Sequence, residues 1–143
     1  RKIIRYCHEI SATDSKVYQD AMKLYYARHV CRNKAKSKRG ALIKNPHGKQ
    51  VYEHMWGASE FSATGSLKHY DKVGQLEKIN CPTLLICGEH DEARPKTAKQ
   101  YAKKIPDADF VEIKRASHAI LAERPGQLVK TIRHFVTRVD TNQ

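Results

Sequence analysis

The run Pro82-Thr83-Leu84-Leu85-Ile86-Cys87-Gly88 constrains this chain more than any other stretch. A short, continuous apolar run closed by Gly predicts a parallel strand buried on both faces, because a strand with one wet face alternates apolar and polar residues. A second short strand is expected over Asp109–Ile113, with helical character at Lys96–Lys104 between Pro95 and Pro106. An amphipathic helix is expected over Gly126–Val139, through Leu128, Ile132, Phe135 and Val136. Strand, helix, strand, helix is a βαβ unit with a closing helix, so residues 80–143 belong to the α/β class. Two strands make too small a sheet to stand alone, and the pattern points to further strands outside the 143 residues.

The preceding residues read differently. Asp14 or Ser15 is placed to cap a helix from about Lys16 to Cys31, with Val17, Ala21, Leu24 and Tyr25 on one face. Residues 33–48 form a basic loop broken by Gly40, Pro46 and Gly48. A short helix is expected at about Lys49–Trp56, an ordered loop over 57–66 and a helix near Lys72–Lys78. The chain thus divides into a helical segment with a return loop, 1–79, and the βαβα part, 80–143.

Composition narrows the function classes. Apolar content of 40% and charged content of 29% describe a folding chain. No apolar run approaches the roughly 18 residues of a membrane span. The opening Arg1-Lys2-Ile3-Ile4-Arg5-Tyr6-Cys7-His8 is too polar for a signal peptide, and it begins mid-pattern without Met, as expected of a cut or processed chain. Cys7, Cys31, Cys81 and Cys87 form no CxxC pair. They read as small buried or half-buried hydrophobes in a reducing, cytoplasmic compartment, with neither a metal site nor a cofactor expected. The net charge of +12 is uneven: residues 1–50 hold 13 Lys and Arg against 3 Asp and Glu. The basic run Arg32–Arg39 lacks aromatic interleaving for base stacking, so it reads as a solvated loop and nucleic acid is not an expected partner.

The chemistry-bearing residues lie at strand ends. Gly88-Glu89-His90-Asp91 ends the first predicted strand, and Ser117-His118 follows the second. That edge of an open α/β sheet is where catalytic groups gather. A carboxylate there can accept the imidazole Nδ1–H, fix the tautomer and leave the other nitrogen to take a proton. Acid before His is the order that follows a nucleophile elbow placed earlier in a chain. Singly, such an Asp is also a common turn residue and such a His a common cap. No G-x-S-x-G string occurs; Gly57-Ala58-Ser59-Glu60-Phe61 comes nearest but lacks the closing Gly and follows no apolar strand.

Several ordered strings resemble the proline iminopeptidase (prolyl aminopeptidase) family of α/β-hydrolase serine peptidases, in its C-terminal part. Tyr18-Gln19-Asp20-Ala21-Met22 and Tyr26-Ala27-Arg28-His29-Val30-Cys31-Arg32 resemble its cap helices. So does Val51-Tyr52-Glu53-His54-Met55-Trp56-Gly57-Ala58-Ser59-Glu60-Phe61, followed by Thr64-Gly65-Ser66-Leu67-Lys68, with Ala58 where the family commonly has Pro. Gly88-Glu89-His90-Asp91-Glu92-Ala93-Arg94-Pro95 resembles the acid loop, with Arg94 where Thr is frequent, and Ser117-His118 the catalytic-His loop. Nearly the whole chain is covered, apart from 33–48.

The resemblance implies the C-terminal portion of an α/β-hydrolase fold, with 1–79 as cap segment and return loop. It implies a serine aminopeptidase that releases N-terminal residues, preferably proline, from small peptides with a free N-terminus. Asp91 would be the triad acid, His118 the base, and Glu60 and Glu92 the carboxylates that bind the substrate amine. Glu60 also reads as a plain loop acid and Glu92 as a helix N-terminal acid. Trp56 and Phe61 either line a proline pocket or anchor the cap. The serine would come from the N-terminal half, and the chain alone is expected to be inactive and to fold poorly. An esterase or amidase of the same fold, or a truncated basic binding fragment, is the alternative.

Overall fold

The computed structural model describes residues 2–33, 46–57, 61 and 63–141. By contacts the chain groups into two units, Arg1–Tyr25 with Lys38–Asp71, and Tyr26–Ser37 with Lys72–Gln143.

The first unit is helical. Helix α1, Lys2–Glu9, buries Ile4 and Cys7, which share one face at i, i+3 spacing. Helix α2, Lys16–His29, whose residues from Tyr26 onward belong to the second unit, is capped by Ser15, whose Oγ accepts the Tyr18 N–H at 3.2 Å. Its buried residues are Tyr18 and Tyr25, seven apart on one stripe. Val17 and Leu24, expected on the inner face, are 61% and 51% exposed. The tyrosine rings take the inner face because each finds a specific partner. The Tyr18 hydroxyl lies 3.1 Å from His8 Nε2, and Tyr25 meets Phe61 edge-to-face at 5.0 Å. Helix α3, Pro46–Met55, begins ahead of Gly48 rather than after it, with Pro at the first turn where its missing N–H costs nothing. It ends at Gly57, whose φ of 90° a side chain would resist.

In the second unit, the helix expected near Lys72–Lys78 is a 3-10 helix, Val73–Lys78. Strand β1, Thr83–Gly88, pairs in parallel with β2, Ala108–Ile113, from Thr83 opposite Ala108 to Gly88 opposite Ile113. Helix α4, Pro95–Ala102, starts on Pro95 and packs on both strands. A four-residue helix α5, Ile120–Glu123, and helix α6, Pro125–Thr141, follow. The core cluster is Ile113, Ala116 and Ile120, with Ile86, Val111 and Leu128 against it. It joins the end of β2 to the start of α5, and so fixes the loop between them.

Two expectations of burial are corrected. Thr83–Ile86 are half-buried, and only Cys87 and Gly88 are enclosed. Among the described residues β1 has one hydrogen-bonded neighbour, so its other edge is unpaired and its side chains have no flanking strand on that side to pack beside. Ile132 and Val136 on α6 are 43% and 47% exposed; Leu128 and Phe135 turn inward, and Arg138 pairs with Asp109 to tie α6 to β2. All four cysteines are free thiols, with Cys81 exposed. No helix among the described residues is long and apolar enough to cross a membrane. The basic stretch at 34–45 lies outside the described residues.

Candidate active site

The parallel register brings the C-terminal ends of β1 and β2 level, Gly88 beside Ile113. The turn after β1 is then bonded to the turn after β2. Glu89 N–H donates to the Ile113 carbonyl at 3.0 Å, and His90 N–H to the Ala116 carbonyl at 2.9 Å. This approach requires glycine at 88. A Cβ there would lie 2.4 Å from the Ser117 oxygen and 2.6 Å from the Ala116 oxygen. Arg115 takes up the bend with φ of 56°, its N–H donating to the Glu89 carboxylate at 2.9 Å. That bond, outweighing desolvation and helped by Lys114, holds the Glu89 carboxyl below its usual range.

Asp91 is buried at 6% exposure, and its carboxylate is locked by three bonds. Oδ2 accepts the Gly88 N–H at 3.1 Å; Oδ1 accepts the Ala93 N–H at 2.9 Å and faces His118 Nδ1 at 3.0 Å. A carboxylate has no proton to give, so Nδ1–H donates, and Nε2 is left as the basic nitrogen. The Asp91 side chain is 4% exposed and that of His118 56%, and Nε2 has no hydrogen-bond partner among the described residues. This is an imidazole oriented from behind and open in front.

Of the other predicted site residues, Glu92 is half-buried directly after Asp91, and Glu60 lies outside the described residues. Phe61 meets the Tyr25 ring within the first unit, and Trp56 is 38% exposed. Cys87, one residue before the turn, has its thiol pushed up to about 11 by burial and by the charges of Asp91 and Glu112, so it is a packed thiol and no nucleophile. Among the described residues no three His, Cys, Asp or Glu side chains gather as metal ligands. Beside His90 a depression of about 520 Å³ is lined by Arg32, Asn33, Arg115, Glu123 and Arg124.

Sequence reasoning missed the support behind His118. Its N–H donates to the His29 carbonyl at 3.0 Å, and the Ala119 N–H to the Val30 carbonyl at 2.8 Å. His29 Nδ1 in turn lies 2.9 Å from the His90 carbonyl, so the C-terminal end of α2 and the residue after it touch both turns. Glu123 is buried beneath them. Its only signal in the sequence is an acid closing the apolar string Ile120-Leu121-Ala122.

No family profile matches the chain. It is 31% identical to the proline iminopeptidase of Heyndrickxia coagulans over 142 residues, which cover 97% of this chain and 49% of that protein. It is also 31% identical over 123 residues to the proline iminopeptidase of Saccharolobus solfataricus, covering 85% of this chain and 40% of that protein. The crystal structure of Mycobacterium smegmatis proline iminopeptidase matches with a TM-score of 0.83 at 27% identity, over 98% of this chain and 48% of that one. The chain spans about half the length of the curated relatives it matches.

Proposed function

From the premise that this chain belongs to the proline iminopeptidase family of α/β-hydrolases, as a match to its C-terminal part, we propose that it supplies the acid–base couple of a serine aminopeptidase. Residues 1–79 serve as cap segment and return loop, and 80–143 complete the hydrolase core. The observation that carries this reading is the 3.0 Å contact between a buried Asp91 and a His118 whose second nitrogen is open.

In the proposed cycle, His118 Nε2 takes the proton of a serine hydroxyl supplied by the N-terminal half of the hydrolase, outside these 143 residues. The alkoxide adds to the scissile carbonyl. The imidazolium, stabilised by Asp91, then returns the proton to the leaving amine. Water repeats the sequence on the acyl-enzyme. The substrate is a small peptide with a free N-terminus, proline preferred. Its ammonium is held by Glu60 and Glu92, each such charged hydrogen bond contributing about 1.5–3 kcal/mol. The four free thiols favour a reducing cytoplasm.

The test is turnover of a prolyl chromogenic amide by the protein carrying both halves. Asp91→Asn lowers kcat by about 10⁴-fold, since the wrong tautomer then faces the serine. Glu60→Gln raises KM for substrates with a free amine. No effect of that substitution favours an esterase or amidase of the same fold, which has no amine to recognise.

A further inference from the structure

Glu123 is a charged side chain in a place where charge is seldom found. It closes the short helix α5 and is only 8% exposed. A carboxylate is buried at little cost only when its oxygens are paired, and both of these are. Oε2 accepts the Ser117 N–H at 2.7 Å and lies 2.9 Å from the Ser117 hydroxyl. Oε1 accepts the Asn33 N–H at 3.1 Å, and also the Arg32 N–H. Burial works to raise its pKa, but these bonds outweigh it and hold the carboxyl below its usual range.

The two sets of donors flank one object. Ser117 immediately precedes His118. Residues 32–33 continue the segment whose His29 and Val30 carbonyls accept the His118 and Ala119 N–H groups. The Ser117 hydroxyl also sits 3.0 Å from the Val30 carbonyl, closing the ring of contacts. One carboxylate therefore ties together the two stretches of backbone that hold the imidazole.

The geometry points to Glu123 as a positioning residue, whose carboxylate clamps Ser117 to residues 32–33 and thereby sets the His118 ring against Asp91. This rests on the reading of His118 as the general base. The clamp needs a carboxylate, because an amide would offer one acceptor oxygen and an NH₂ group to a ring made of donors. Glu123 need not touch substrate, so its loss acts on the chemical step rather than on binding.

The test uses the protein carrying both halves, with two readouts. One is kcat and KM on a prolyl amide. The other is the low-field proton resonance of a His Nδ1–H bonded to a carboxylate, assigned to His118 by its loss in His118→Ala. Glu123→Gln is expected to lower kcat by about 100-fold with KM little changed, the scale of an ångström's misplacement. The low-field proton is expected to shift or vanish while the melt stays cooperative, and Glu123→Asp, which keeps the charge, is expected to recover part of both.

An unchanged kcat, or a fallen kcat with the low-field proton at its wild-type position, overturns the proposal. Should Glu123→Gln unfold at the assay temperature, Ser117→Ala decides in its place: a displaced low-field proton supports the clamp and an unmoved one overturns it. A wild-type protein without peptidase activity sinks the functional reading alone, because the resonance still reports on the clamp.

Discussion

At the scale of single residues, the site depends on one that carries no chemistry of its own. Gly88 lets the turn after β2 come within bonding distance of the turn after β1, and any Cβ meets rigid backbone there. Gly88→Ala is expected to destabilise the protein by about 1–3 kcal/mol, as overpacking does, and to displace His118. A combined fall in kcat and melting temperature checks this. Cys87 and Cys81 make a contrasting pair. The Cys87 thiol is pushed up to about 11 and enclosed, whereas Cys81 is free and exposed. Iodoacetamide is expected to label Cys81 in the native protein and Cys87 only after unfolding, read by peptide mass spectrometry.

Glu123 also carries a pH dependence with a definite sign. Its folded pKa lies below the ordinary 4.5, so on acidification the unfolded chain takes up this proton first. Its contribution to stability is fully present above the ordinary value and is lost as the pH falls through the lowered folded one. Glu123→Gln is expected to flatten that part of the stability curve. Denaturant titrations between neutral and acid pH measure it.

At the scale of elements, the core under the His118 loop is small and local: Ile113, Ala116 and Ile120, with Ile86, Val111 and Leu128 around them. Ile113→Ala is expected to cost about 2–5 kcal/mol, the range for a truncation that leaves a cavity. Because the cavity opens where β2 hands over to the loop, activity is expected to fall at temperatures below the global melt. The elements themselves were largely legible. Both strands, α4 and α6 lie within a residue or two of their expected bounds, since apolar runs, Pro95 and Pro106 punctuate them. Which helix faces turn inward was less legible. Val17, Leu24, Ile132 and Val136 fit the apolar period yet stand exposed, because Tyr18, Tyr25 and Arg138 have partners that periodicity does not count.

At the scale of the whole molecule, β1 is half-buried along most of its length and α6 exposes Val129, Ile132 and Val136 in an i, i+3, i+7 stripe. Open strand edges and apolar stripes favour association. The 143 residues on their own are expected to turn over no prolyl amide and to self-associate with concentration in sedimentation experiments. Turnover by the pure chain, or a monomer with a cooperative melt, counts against the proposal that a second half completes this hydrolase.

Asp91 and His118 could be picked out from the sequence because strand ends, glycine and chain order are local, and local patterns survive in one dimension. Their 3.0 Å meeting, and the support of His118 by the C-terminal end of α2 and the residue after it, are pairings across 27 and about 90 positions. Only folding decides such contacts: a buried carboxylate such as Glu123 is stable solely where backbone donors from distant stretches converge on it, and nothing in its neighbours along the chain specifies which donors those will be.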